Sequence, residues 1–526
     1  MKLSLVKGLW LALLSGLLVG LGYRIIPAWW ICVSLIPLLI PCFRGRFRYR
    51  QVFFFGWLTQ FVAGVINYMW LAEGAANYYQ IHIIAAVPVA VCYAAVGLLQ
   101  IPLGCLLTCF VWRRWKPSVL LVVLCFACSC WLLESLLPSL LPNSLGYSFF
   151  FSELPAYQLA DWVGFSGLSF LIYLINALFV WALVNDRFQL LLSGSRLAVP
   201  VLLLVAINLV GYLHGRAYKQ TGEGREVSLL LVQPYEQLRL DEALSLELPT
   251  RVIQGLTEFT REQYEGYLMV PNLTIWPELA FPLEVNVDPF SIPQSESIEA
   301  LIQDYQAPLL FGTSVSGLGS KVSGREKRGV SHNAAVLLDE NAEFGGVYEK
   351  EVLFPFVEAH PFAHYLPEWL YQALPEKRLA AGYNEVLLRV GDLRLGTLIC
   401  YEGTLTESVL WQVSAGANLL VSISNDSWFS QTAGAEIHHL ITMARAIEYR
   451  LPLVRVSQSG ISGLILRNGA ITALSEQNVS WAERVKLFVE NEPELTFYAR
   501  FPNLLLILVS SGYLSLILYA FLNKLK

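Results

Sequence analysis

The sequence predicts a membrane α-helical bundle that carries one water-facing α/β layered domain. Three observations predict it: long uncharged runs toward both ends of the chain, a middle stretch of ordinary charge density, and alternation there between short apolar runs and helix-like segments. A hydrophobic content of 55% with only 15% charged residues over 526 positions is too apolar for a wholly soluble chain. The polar middle is too long for a chain that is membrane throughout.

Residues 8–23, 25–42, 51–72, 82–112, 117–133, 162–184 and 197–213 each lack Asp, Glu, Lys and Arg. Most approach or exceed the roughly 20 apolar residues that a helical span needs, so seven spans are expected. Phe501–Leu522 is again uncharged and gives an eighth. The implied division is a seven-span domain over 1–215, an α/β domain over 216–500 and a closing helix over 501–526. The first run follows Lys2 and Lys7 and is succeeded almost at once by a second, with no small-residue cleavage site between them, which reads as a retained anchor.

Basic residues of short loops stay cytoplasmic. With the N-terminus inside, the inner loops receive thirteen of them: Lys2, Lys7, Arg44, Arg46, Arg48, Arg50, Arg113, Arg114, Lys116, Arg187, Arg196, Lys524 and Lys526. The short outer loops receive only Arg24. Seven spans then carry the middle of the chain to the far side.

Cysteine usage sharpens this reading. Eight of the nine cysteines fall at or before position 130, inside or beside apolar runs, where a thiol packs as a small hydrophobe. Cys400 is alone in 216–500. Exported domains commonly pair their cysteines, but Cys400 has no partner for an intradomain disulfide.

The apolar runs in the middle domain are 227–233, 273–277, 308–315, 333–339, 385–400, 418–426 and 451–466, with a hairpin turn expected at Gly391–Asp392. Helix-like stretches lie at 243–267, 293–306, 404–415 and 436–449. Nearly continuous apolar strands alternating with helices indicate an α/β layered domain. The stretch 316–332, rich in Gly, Ser and basic residues, reads as a surface loop.

Three segments carry chemistry. "IWPELAFP" sets Glu278 just after an apolar strand, "YEKEVLFPFVEAHP" sets Lys350 and Glu358 in a loop, and "LICYEG" ends a strand on Cys400. A thiol needs a base to remove its proton, and Glu278 fits that role. Attack on a carbonyl builds negative charge on oxygen, for which Lys350 and the backbone N–H of Tyr401 are suitable donors. Glu358 and Glu402 can position Lys350 or a leaving group's proton.

"WPELAFP", "EKEVLFPFVE" and "ICYE", in this order, resemble the Glu–Lys–Cys signature of the nitrilase superfamily, and the flanking spans make the whole chain similar to its membrane-embedded apolipoprotein N-acyltransferase family. "NDSWF" (425–429), "ARAIEYRLPLVR" (444–455), Asn333 in "NAAVLLD" and the segment 146–171 match as well. The chain departs from the family's usual pattern at "QPYEQLRLDE", where Leu240 stands in place of a Trp, and at "SQSGIS".

The resemblance implies a nitrilase-like αββα domain on the periplasmic side of the bacterial inner membrane, with Glu278, Lys350 and Cys400 as a triad. It implies ping-pong transfer of a fatty acyl chain from a phospholipid, through a Cys400 thioester, to the α-amine of a diacylglyceryl-cysteine at a lipoprotein N-terminus. No cofactor or metal is implied, and a monomer is expected. Asn333, Trp428 and Tyr147 are the expected substrate contacts. Phe149, Phe150, Phe151 and Trp162 are further aromatic residues that could seat acyl chains or form an interfacial belt.

Other readings stand beside this one. The triad also suits a membrane-tethered amidase. A papain-like pairing of Cys400 with His438 or His439 competes with the reading of those histidines as a solvated helix face. A transporter with an exterior binding domain would call for ionisable groups at mid-depth in the spans, and the seven runs have none. A net charge of −5 without a basic stripe argues against nucleic acid. The scattered histidines lack ligand spacing for a metal.

Overall fold

The computed structural model describes residues 4–23, 28–44, 47–184, 194–218, 224–235, 248–265, 270–316, 331–359, 379–384, 386–429 and 432–525. The chain divides into two compact units, Met1–Lys219 with Thr496–Lys526, and Gln220–Leu495. The loop expected at 316–332 and the position of Leu240 lie almost wholly outside the described residues.

The first unit is helical. Among the described residues, six helical stretches are long and apolar enough to cross a membrane: Leu5–Gly22, Ile83–Trp115, Val119–Leu136, Pro155–Leu183, Gly194–Ala217 and Leu504–Asn523. The pair Tyr49–Tyr68 and Trp70–Tyr79, bent by 51°, makes a seventh if counted as one span. The second expected span is shorter and broken, a 3₁₀ turn Trp29–Val33 followed by the helix Ile36–Arg44 with Pro41 inside it. The helix continues through Pro41, and the break lies at Ser34–Leu35, just before Pro37, whose ring crowds the carbonyl four residues earlier and hinders a helix from running into it.

Helices in an apolar medium approach through small residues. Gly16 and Gly20 sit against Val62 and Ile66 of the helix Tyr49–Tyr68; a methyl group at either glycine would come within 2.7 Å of those side chains. The helices also extend past the uncharged runs, so Glu134 and Asp161 fall inside Val119–Leu136 and Ala160–Leu183 near their ends. Asp161 is buried and lies 2.7 Å from Nε2 of His214. Neither residue lies at mid-depth of its helix, where the uncharged runs fall.

The second unit contains two sheets. The strands are β1 Arg225–Gln233, β2 Leu273–Ile275, β3 Val285–Val287, β4 Phe290–Ser291, β5 Leu309–Ser316, β6 His332–Leu338, β7 Phe344–Glu349, β8 Leu388–Val390, β9 Leu393–Ile399, β10 Leu419–Ser424, β11 Leu453–Ser457, β12 Gly463–Ile465, β13 Ile471–Leu474 and β14 Trp481–Val489. One sheet runs β14-β1-β2-β5-β3-β4, with β6 and then β7 added on β5; the other runs β13-β12-β11-β10-β9-β8. β1, β2 and β5 are parallel, as are β9, β10 and β11.

Both faces of the inner strands are buried, which is why the strands read as continuous apolar runs. Leu229, Leu231 and Ile275 meet Leu395, Val421 and Val456 in the core between the sheets. Leu230, Val232 and Leu309 instead face Ile253, Leu256, Leu301 and Ile302 of the helices Leu248–Glu265 and Glu296–Tyr305. Helices Thr406–Ser414 and Ala433–Tyr449 pack on β9 and β11 of the second sheet. The result is the αββα layering expected. The hairpin at Gly391–Asp392 joins β8 to β9, with Val390 opposite Leu393.

Candidate active site

Ligand groups in layered α/β folds converge at the carboxyl ends of parallel strands. Here β2 leads into Glu278, β9 into Cys400 and β10 into Asn425, while the antiparallel β7 leads directly into Lys350. β7 was not anticipated, because "FGGVYE" is short and glycine-rich. Lys350 continues the ladder, its N–H donating to the carbonyl of Asn333 at 2.8 Å.

The Glu278 loop presses on β5. A methyl group at Gly312 would sit 2.5 Å from Cα of Glu278, so only glycine admits the loop there. Glu278 is 4% exposed and Lys350 1% exposed, burial that demands partners. Lys350 Nζ lies 2.8 Å from the Glu358 carboxylate and 3.4 Å from Oε1 of Glu278. Asn333 Nδ2 donates to Oε1 of Glu278 at 2.7 Å and to Glu358 at 3.2 Å. Oε2 of Glu278 accepts the N–H of Asn425 at 2.7 Å, and Glu358 accepts that of Phe354.

Burial pushes the Glu278 carboxyl up, Lys350 pulls it down, and the balance stays above the ordinary value. Burial works against the Lys350 ammonium, but Glu278, Cys400 and Glu358 outweigh it and hold Lys350 firmly protonated. The Cys400 thiol is pushed well above its usual range by burial and then by the negative charge of Glu278, with Lys350 acting the other way. A thiol kept protonated, a carboxyl group whose proton affinity is raised and a fixed cation are the residue types a base-assisted nucleophile requires.

Cys400 has a left-handed backbone, φ 53°, and opens the 3₁₀ turn Cys400–Thr404. Glu402 holds this turn. One of its oxygens accepts the N–H of Glu351 at 2.7 Å and of Val352 at 3.0 Å; the other accepts the N–H of Ile399 at 2.9 Å and the Tyr348 hydroxyl at 3.1 Å. Glu402 therefore ties the chain just after Lys350 to the chain just before Cys400. Burial raises its carboxyl to about 7, against the pull of those donors.

Tyr401, Phe354, Trp428 and Phe429 form an aromatic row, with ring centroids 4.9, 5.8 and 3.9 Å apart in turn. Trp428 Nε1 donates to the carbonyl of Asn425. Phe354 was not singled out from the sequence, although it lies between Lys350 and Glu358. Tyr147 lies in the helical unit, buried and stacked on Phe165 at 4.8 Å.

The histidine expectation needs correction. His438 and His439 are 8% and 3% exposed because the helix Ala433–Tyr449 is covered on nearly all sides. Nε2 of His438 lies 3.2 Å from the carbonyl oxygen of Cys400, while its Nδ1 faces Asp426 at 3.0 Å. Arg455 is fully buried beside it and donates to Asp426 at 2.7 Å. "NDSWF" and "ARAIEYRLPLVR" supply Asp426 and Arg455, and neither residue had been given a role.

Among the described residues no group of His, Cys, Asp and Glu could hold a metal ion. Residues 269–485 match the carbon-nitrogen hydrolase family model, and residues 15–178 match the apolipoprotein N-acyltransferase N-terminal domain. The apolipoprotein N-acyltransferase of Bdellovibrio bacteriovorus is 29% identical over 506 residues, covering 93% of this chain and 89% of that one. That of Chlorobaculum tepidum is 25% identical and covers 95% and 94%. A crystal structure of a carbon-nitrogen hydrolase from Helicobacter pylori G27 aligns with 50% of this chain and 88% of its own at 15% identity and a TM-score of 0.35. The helical half and the hydrolase-like half are each matched in place, and relatives of the same name align over nearly the whole length, which supports identifying the chain with the apolipoprotein N-acyltransferases.

Proposed function

We propose that the protein transfers a fatty acyl chain from a phospholipid to the N-terminal amine of a diacylglyceryl-cysteine on a lipoprotein, with Glu278, Lys350 and Cys400 as the reacting set. The observation that carries the proposal is the buried Glu278–Lys350 pair beside the Cys400 turn, in a chain that also has six or seven membrane-length apolar helices. Both substrates of this reaction reside in a bilayer, which accounts for joining a hydrolase-type fold to a helical bundle.

In the first half-reaction Cys400 attacks the ester carbonyl of the donor and its proton passes to Glu278. The oxyanion draws on Lys350 and the Tyr401 N–H. Collapse breaks the acyl C–O bond, and Glu278 returns the proton to the departing lysophospholipid. In the second half the acceptor amine attacks the thioester, Glu278 takes a proton from nitrogen, the C–S bond breaks and the thiol is restored. Each proton removed is returned within one cycle, so no co-reactant is needed.

Glu358 and Asn333 keep Glu278 and Lys350 in register, so Asn333 acts on the carboxylates rather than on substrate. Trp428 and Phe354 offer an apolar wall to the acyl chain. The reaction side is assigned to the periplasm and the helices to the inner membrane, with a monomer as the working unit; the basic-residue asymmetry supports that orientation.

The amidase alternative is separated by acceptor choice. Protein in phosphatidylethanolamine micelles should form amide on a diacylglyceryl-cysteinyl peptide and none on its N-acetylated form. Release of free fatty acid at one rate, with or without the peptide, would favour a hydrolase.

A further inference from the structure

His438 is not used in the steps above, yet it is the buried group that meets the main chain of the nucleophile. Its Nε2 is 3.2 Å from the Cys400 carbonyl oxygen, and its Nδ1 lies 3.0 Å from both Oδ1 of Asp426 and a terminal nitrogen of Arg455. Asp426 also accepts the Ser424 hydroxyl at 2.8 Å, and Arg455 donates to the Ile461 carbonyl at 2.7 Å. Burial would raise the Asp426 carboxyl, but Arg455 and His438 hold it well below the usual carboxylate range. This side of the ring is thus a fixed ion pair.

The surroundings decide where the imidazole proton sits. If the ring is neutral, Arg455 can donate only to an unprotonated Nδ1, which leaves the proton on Nε2. If the ring is charged, Nδ1–H donates to Asp426 and Nε2 is still protonated. The remaining tautomer would set the Nε2 lone pair against a carbonyl oxygen at 3.2 Å. In both satisfied states Nε2–H donates to Cys400.

A trans peptide is planar, with its C=O and N–H pointing in opposite directions. The carbonyl of Cys400 belongs to the same plane as the N–H of Tyr401. Fixing one end fixes the direction of the other, and a donor on the oxygen polarises the N–H. The left-handed Cys400 needs such support, since this backbone region costs a non-glycine residue about 1 kcal/mol or more. We propose that His438 is a positioning residue for the oxyanion: its Nε2–H, held by Asp426 and Arg455, sets the Cys400–Tyr401 peptide so that the Tyr401 N–H meets the oxygen of an acyl group on Cys400. The inference rests on the acyl-transfer reading of this site.

The test uses two reagents on the full chain in detergent, each read as the mass of the Cys400 peptide. p-Nitrophenyl butyrate acylates the thiol through an oxyanion; iodoacetamide alkylates it by displacement at carbon, without one. Asn places its amide nitrogen near Nδ1, whereas Gln reaches the Nε2 position. His438→Asn should slow acylation about tenfold and leave alkylation within about twofold, because an indirect support should cost less than the 10²–10³ of a deleted oxyanion donor. His438→Gln should recover most of the acylation rate. A parallel fall of both reactions in His438→Asn, or equal acylation by the Asn and Gln variants, would overturn the proposal. Neither reagent depends on the natural donor, so failure of the phospholipid reading would appear separately, as wild-type protein that reacts with the ester but takes no acyl group from phospholipid.

Discussion

Cysteines in the two units differ in surroundings rather than in burial. The eight in the helical unit are free thiols, all buried except Cys92, and they stand in the apolar packing of helices; Cys130, for example, lies against Gly104 of the neighbouring helix. Cys400 is also free and buried, but it sits at the end of a strand in a left-handed turn, within reach of the fields of Glu278 and Lys350. Burial alone therefore does not mark a reactive thiol. What sets Cys400 apart is its place at a strand end near the charges of Glu278 and Lys350.

The contrast breaks most sharply by removing the two kinds of sulfur. Cys400→Ala should lower amide formation by at least about 10³-fold while shifting stability by no more than about 1 kcal/mol, as the site loses a nucleophile and little packing. Cys130→Ala should do the opposite: a cost of about 1 kcal/mol for the small void, and unchanged transfer per folded molecule. Thermal unfolding in detergent and a product assay measure both effects.

A smaller effect follows from the cation. Lys350→Met should slow acylation of Cys400 by about 10²–10³-fold through loss of an oxyanion donor. It also removes the charge that pulls the Glu278 carboxyl down, so Glu278 should bind its proton more tightly than in the parent. Rapid-quench acylation reads the first consequence, and potentiometric titration against the parent reads the second.

The mildest prediction concerns Glu402. Its folded-state value of about 7 exceeds the ordinary 4.5, so the folded chain binds this proton more tightly than the unfolded chain. The contribution of Glu402 to stability is thus greatest below about 4.5, declines as pH rises to about 7, and is level above that. Glu402→Gln should remove this part of the pH dependence. It should also cost on the order of 2 kcal/mol, because an amide nitrogen would replace an oxygen that accepts two donors. Unfolding midpoints at pH 5 and pH 8 test the sign.

Much of the fold is legible because its strands are buried on both faces. β1, β5, β6, β9 and β10 appear in the sequence as apolar runs at nearly the observed limits, and the four helices among the described residues of the second unit are visible between them. β7 and β14 are less legible, as "FGGVYE" and "WAERVKLFV" have one side outside the core. The second expected span is shorter and broken because an uncharged run states apolarity and not helical continuity. Glu278 and Cys400 announce themselves at the ends of apolar runs, whereas Lys350 and Glu358 read only as loop residues because the strand before Lys350 is not legible. Asp426 and Arg455 do not announce themselves, and His438 does so only as a rival partner for the thiol. They are separated in sequence, and only the return of β10, the helix Ala433–Tyr449 and β11 to one end of the sheet joins them behind Cys400.

On the proposed mechanism, Cys400 stands apart from the other eight cysteines because it carries the acyl chain between two membrane-bound substrates. The direct measurement is the mass of the Cys400 peptide after incubation with phospholipid alone, and then after addition of a diacylglyceryl-cysteinyl peptide. A hydroxylamine-sensitive fatty acyl adduct on Cys400 should accumulate in the first stage and be discharged into amide in the second. No adduct at Cys400, or an adduct that water removes as quickly as the amine does, would contradict it.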